Sequence, residues 1–129
     1  VSAVLGIGVD ILAVERMRSC LGSPQFMRRV FTEAEVEASA SYLDPQGCLA
    51  RVFAGKEAVF KCLGVDADAL DSWTDIEVSD MCGGPPAVGL RGGMAAAARR
   101  RGAEQVLLSL SGDAGYVAAF AVLVGSGGA

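Results

Sequence analysis

Val4-Leu5-Gly6-Ile7-Gly8-Val9-Asp10-Ile11 alternates large apolar residues with glycine and aspartate. Leu5, Ile7, Val9 and Ile11 share one side, and Gly6, Gly8 and Asp10 share the other, which is the period of a β-strand. Downstream, Val14, Met17 and Leu21 predict a short helix, halted at Gly22-Ser23-Pro24. Thr32-Glu33-Ala34-Glu35 has the spacing of a capping box, so a second helix is predicted over residues 33–41. Asp44-Pro45-Gln46-Gly47 reads as a turn. Leu49, Val52, Phe53, Val59, Phe60 and Leu63 then recur at helical spacing, predicting a longer helix over 49–63 that Gly64 ends.

The second half reads mostly as strands. Residues 75–79 alternate, the run around Cys82-Gly83-Gly84-Pro85-Pro86 turns the chain, and residues 87–90 return as a hairpin partner. Residues 94–101 are rich in alanine and end in Arg99, Arg100 and Arg101 before Gly102, as a helix C-terminus does. Two apolar strands, 106–110 and 116–124, are joined through Ser111-Gly112-Asp113-Ala114-Gly115. The pattern is that of an α+β domain, an antiparallel sheet with helices packed on one face. Residues 1–124 form the single domain expected, and 125–129 a flexible tail.

Composition narrows the chemistry. The chain has 129 residues, 52% of them hydrophobic and 20% charged, enough for one buried core. It has no histidine, which excludes Ser-His-Asp and Cys-His triads and His-ligated zinc. Cys20, Cys48, Cys62 and Cys82 form no C-x-x-C pair, so reduced thiols in a cytoplasmic protein are expected. A net charge of −4 argues against nucleic-acid binding, and no apolar run is long enough to span a membrane.

Asp10 stands on the polar side of an apolar strand at the entry to a helix. It is either an N-cap or a ligand for a hard cation such as Mg²⁺. Glu57 and Lys61, at i and i+4, form either a solvated ion pair or, with Asp10, a carboxylate pair with a cation beside phosphate oxygens. Arg16, Arg18, Arg28 and Arg29 cluster around the first helix of an acidic chain, either as a solvated face or as a docking patch for an acidic partner. Ser109 and Ser111 share one face of a strand.

Read together, Gly6-Ile7-Gly8-Val9-Asp10, Phe31-Thr32-x-x-Glu35 and Phe53-Ala54-Gly55-Lys56-Glu57-Ala58-Val59-Phe60-Lys61 resemble the 4′-phosphopantetheinyl transferases, in particular the short holo-acyl-carrier-protein synthase class. Trp73-x-Asp75-Ile76-Glu77-Val78, Gly83-Gly84-Pro85 and Ser109-Leu110-Ser111 continue the likeness in order. The resemblance implies the fold of that family and transfer of phosphopantetheine from coenzyme A to a serine of an apo carrier protein, with release of adenosine 3′,5′-bisphosphate. It implies that Asp10 and Glu57 bind Mg²⁺ and that Lys61 neutralises the pyrophosphate. Glu57, or a metal-bound water beside it, would take the serine proton. Gly83, Gly84, Pro85, Ser109 and Ser111 match nucleotide-contacting segments. Arg16 matches a carrier-docking position, with Arg18, Arg28 and Arg29 beside it.

Four positions depart from the family pattern. Gly112 stands where a histidine is usual, Val52 where an arginine is frequent, Asp66 for a glycine, and Gly84 for a lysine. All four make the site less positive, which lowers the expected affinity for coenzyme A. The other reading is therefore a non-catalytic relative that binds carrier proteins with weakened coenzyme A binding. Residues 116–124 show no polar alternation, and one short chain has little material to cover both faces of a five-stranded sheet. An interface is expected there, and the resemblance implies a homotrimer with sites between subunits.

Overall fold

The computed structural model describes residues 2–79 and 85–126. In chain order the elements are β1 (Ala3–Ala13), α1 (Val14–Leu21), α2 (Pro24–Val30), α3 (Glu33–Ser39), α4 (Pro45–Leu63), β2 (Ile76–Ser79), β3 (Ala87–Leu90), α5 (Gly92–Arg100), β4 (Ala103–Asp113) and β5 (Tyr116–Gly125). The α+β class and the antiparallel pairing are as expected, but the strands form two sheets rather than one. β1, β5 and β4 pair in that order, and β2 pairs only with β3. Pro85 and Pro86 carry no N–H to offer a ladder at the start of β3, and β3 and β4 are separated in sequence by α5. Ile76 and Val78 of β2 instead bury themselves in the core with α4.

β1 runs across α4 with its glycine side inward. A Cβ on Gly6 would lie 2.1 Å from the Cys62 carbonyl oxygen, and one on Gly8 would lie 2.0 Å from that of Ala58. No other residue lets the two backbones come so close. The apolar side of β1 consequently faces out: Ile7, Val9 and Ile11 are 64%, 58% and 69% exposed. Beneath the sheet, Val52, Val59, Leu63, Ile76, Met94 and Leu123 are fully buried, each stabilising the fold by roughly 1.5–3 kcal/mol.

Two helix starts differ from expectation for one physical reason. Ser23 caps α2 by accepting from Phe26 N–H, and Asp44 caps α4 by accepting from Gly47 N–H, each followed by proline at the first helical position. Proline there costs nothing, because that N–H has no partner within the helix in any case. The helix expected from Leu49 therefore begins a turn earlier, and the interruption at Gly22-Ser23-Pro24 is the start of α2. The β4–β5 hairpin turns on Ala114 and Gly115, with φ of 53° and 80°, and Gly115 C=O accepts the Val14 N–H of α1. β5 extends one residue past the expected strand, with Gly125 paired to both Ala3 and Ala103.

The capping box at Thr32 is present, and Glu35 does more than close it. Its Oε1 accepts from Thr32 N–H and lies 2.8 Å from Lys56 Nζ, while Oε2 accepts from Val78 N–H. Lys56 is fully buried and also donates to the carbonyls of Trp73 and Ile76. Burial pushes the Lys56 ammonium down from the usual lysine range, and Glu35 pulls it back. This pair fastens the outer face of α4 to α3 and β2. Edge contacts of Trp73 with Phe53 and Phe60 add to the same attachment.

Candidate active site

Asp10 sits on the inner side of β1, where the strand runs on towards α1. Glu57 and Lys61 stand one turn apart on α4, and helical geometry puts them on the face that meets β1. Lys61 Nζ donates to Asp10 Oδ1 at 3.1 Å and to the Val9 carbonyl at 3.1 Å. The Asp10 side chain is 11% exposed and that of Lys61 51%, so the cluster is open at the lysine end. Burial, then the charge of Asp10 and a hydrogen bond with it, push the Glu57 carboxyl above the usual carboxylate range, against the pull of Lys61.

Asp10 is therefore paired with the Lys61 ammonium, and its charge opposes ionisation of the Glu57 carboxyl beside it, a repulsion between the two carboxylates. A divalent cation held there would relieve that repulsion. Mg²⁺ commonly takes one or two carboxylates and completes its shell with water and substrate phosphates, so this donor set fits it. Among the described residues no group of three or more Cys, Asp or Glu side chains could hold a metal.

The remaining predicted residues are dispersed. Ser109 and Ser111 are exposed on the outer face of β4, paired with Phe120 and Ala118, and so lie across the sheet from Asp10. Pro85 lines a groove of about 610 Å³ between β3 and β4 that none of Asp10, Glu57 and Lys61 reaches. Gly83 and Gly84 lie outside the described residues. Arg16 on α1 and Arg28 and Arg29 on α2 are exposed. Arg18 is engaged within the chain, by Glu15 at 2.9 Å, Asp44 at 3.2 Å and Gln46 at 3.2 Å. It holds the Asp44 carboxyl below the usual carboxylate range.

Arg51 stands one residue before Val52, the position where an arginine is frequent in the family. It lines a cleft of about 740 Å³ between the start of α4 and the β4–β5 hairpin, together with Gly112, Asp113 and Tyr116. A Cβ on Gly112 would lie 3.8 Å from Arg51 Nη1, so the guanidinium stands beside the place where a side chain is missing. Among the described residues Arg51 makes no ion pair.

Fold and site together define a class. Residues 6–121 match the family model of the 4′-phosphopantetheinyl transferase superfamily. A holo-[acyl-carrier-protein] synthase of Desulforudis audaxviator is 42% identical over 124 residues, covering 95% of this chain and 94% of its own. The crystal structure of a holo-ACP-synthase from Plasmodium yoelii superposes with a TM-score of 0.82 at 29% identity, covering 98% of each chain. A holo-(acyl-carrier-protein) synthase from Bacillus anthracis, solved in complex with CoA (3′,5′-ADP), gives 0.76 at 28% identity, covering 95% of this chain and 98% of the other. The chain belongs to the 4′-phosphopantetheinyl transferase superfamily and is an enzyme of its holo-acyl-carrier-protein synthase class.

Proposed function

We propose that this enzyme transfers 4′-phosphopantetheine from coenzyme A to a serine of an apo acyl or peptidyl carrier protein, with Mg²⁺ held by Asp10 and Glu57. The observation that carries the reading is the convergence of Asp10, Glu57 and Lys61 between β1 and α4. The coenzyme A bound by the similar Bacillus anthracis protein supports the donor.

In this reading the carrier serine oxygen attacks the phosphorus bonded to the pantetheine oxygen. A new serine O–P bond forms, and the bond from that phosphorus to the bridging oxygen breaks. Adenosine 3′,5′-bisphosphate leaves with the bonding pair. Glu57, or a water beside it, would take the serine proton. Lys61 offers its ammonium to the pyrophosphate as charge moves onto the leaving group. A divalent cation held by Asp10 and Glu57 would supply Lewis-acid neutralisation of charge on the pyrophosphate. Phosphoryl transfer of this kind depends on position and charge rather than on a protein nucleophile, so a chain without histidine can perform it.

The outer face of the large sheet bears on assembly. Ile7, Val9, Ile11, Leu107 and Phe120 are 64%, 58%, 69%, 47% and 46% exposed on one face of the β1-β5-β4 sheet. A continuous apolar surface of this kind marks a subunit interface, and we read it as the contact of a homotrimer. Ser109 and Ser111 lie on that same face, so in such an assembly they belong to a boundary shared between copies. Arg51 then supplies a cation for the 3′-phosphate of coenzyme A where Gly112 offers none. Arg16, Arg28 and Arg29 form the exposed basic surface for the acidic carrier, with Arg18 bracing α1 against the start of α4. Mass spectrometry of an apo carrier after incubation with the enzyme, coenzyme A and Mg²⁺ tests the reading.

A further inference from the structure

Arg101, the residue that follows α5, reaches back to two elements far away in sequence. Its Nη1 donates to the Leu63 carbonyl at 2.7 Å and to the Cys62 carbonyl at 3.4 Å. Its Nη2 donates to the carbonyl of Leu5. The first two acceptors end α4, where the last carbonyls have no partner within the helix. The third belongs to β1 at an irregularity: Val4 pairs with Val124 and Gly6 with Leu123, which leaves Leu5 outside the ladder. One planar guanidinium thus serves unpartnered acceptors of both elements. Among the described residues Arg101 makes no salt bridge, so its donors are directed to backbone. Gly64 makes room for it, since a Cβ there would stand 2.8 Å from Nη1.

The position of this contact matters because of how β1 meets α4. At Gly6 and Gly8 the strand presents no side chains, so the contact is a smooth backbone track without knobs to fix the helix along it. Beside the packing of α4 in the core, polar attachments along the track help to set that position. Lys61 makes one, to Val9 and Asp10, and Arg101 makes the other, at the opposite end of the track. Lys61 is the residue before Cys62, so the turn that Arg101 holds is the turn that carries Lys61.

We propose that Arg101 is a positioning residue, which fixes α4 on β1 so that Glu57 and Lys61 stand opposite Asp10. The proposal deepens the reading of Asp10 and Glu57 as a shared cation site and rests on it. Mn²⁺ titration of the full chain, followed by electron paramagnetic resonance without coenzyme A and well below the unfolding temperature of each variant, tests it. Arg101→Met keeps most of the stem and removes the donors, and should weaken Mn²⁺ binding about tenfold, as loss of a group supporting metal ligands does. Arg101→Lys retains one donor group and should fall between the two, which also provides a measurement if Arg101→Met does not fold. A purely structural role would lower the melting temperature of both variants and leave Mn²⁺ affinity within about twofold of wild type, and that result overturns the proposal. Wild-type protein that binds no Mn²⁺, or binds it equally after Asp10→Asn, overturns the shared site itself and the proposal with it.

Discussion

Gly8 lies against Ala58 so closely that a Cβ on it would stand 2.0 Å from the Ala58 carbonyl oxygen. Asp10 is two residues further along that strand, and Glu57 directly precedes Ala58, so the same approach that forbids a side chain brings the two carboxylates together. Gly8→Ala must push β1 and α4 apart. Overpacking of this kind costs roughly 1–3 kcal/mol, and a displacement near 1 Å at a reacting centre can reduce turnover about 10²-fold. Urea unfolding and steady-state transfer kinetics measure the two effects, and near wild-type values for both would refute the close approach.

The carboxylate pair gives a dependence on pH whose sign is fixed by the raised Glu57. In the folded chain without metal, Glu57 holds its proton to higher pH than in the unfolded chain. The folded state then binds more protons across the interval between the two values, so stability falls as pH rises through it. Glu57→Gln removes that penalty. In EDTA it should raise the melting temperature by a few degrees at neutral pH, with the gain shrinking below the usual carboxylate range. Mg²⁺ should stabilise wild type and leave Glu57→Gln nearly unaffected. Equal responses of the two proteins to Mg²⁺ would remove Glu57 from the cation site.

Much of this arrangement is visible in the sequence, and the rest is hidden for definite reasons. The alternation from Val4 to Ile11 gives the strand, and the four-residue step from Glu57 to Lys61 gives a shared helix face. Neither pattern says that the glycine side of β1 is the one packed inside, because that depends on α4 lying against it. Ser23-Pro24 and Asp44-Pro45 look like breaks, yet each is a cap followed by proline in the first turn. The split into two sheets follows from β2 packing with α4. The Lys56–Glu35 pair spans 21 residues of sequence and closes only when α3, α4 and β2 meet. Local spacing carries no trace of either.

Arg51 and Gly112 bear on the cofactor. A charge-assisted hydrogen bond contributes roughly 1.5–3 kcal/mol, so Arg51→Met should weaken coenzyme A binding about tenfold or more. An analogue lacking the 3′-phosphate should be affected much less. Gly112→His, whose Cβ would stand 3.5 Å from the Tyr116 carbonyl oxygen and 3.8 Å from Arg51 Nη1, should tighten coenzyme A more than the analogue. Calorimetric titration of both ligands decides it. Equal changes for the two would place the 3′-phosphate elsewhere.

Phe120 is 46% exposed between Val9 and Ser109 on the outer face of the large sheet. Phe120→Asp puts a charge into the proposed interface, where an unpaired buried ion is strongly unfavourable. Sedimentation equilibrium should find wild type trimeric and the variant largely monomeric, with transfer activity lost in parallel. A monomeric wild type at all accessible concentrations would contradict the assembly.

The mass of a carrier protein decides whether this chain transfers phosphopantetheine. Apo carrier, coenzyme A and Mg²⁺ are incubated with wild-type enzyme and, separately, with folded Asp10→Ala and Glu57→Ala variants. Wild type should add one phosphopantetheinyl group to the carrier serine and release adenosine 3′,5′-bisphosphate in equal amount, while both variants should leave the carrier unchanged. Carrier mass unaltered by wild type across acyl and peptidyl carriers, or full conversion by Asp10→Ala, would contradict the proposed function.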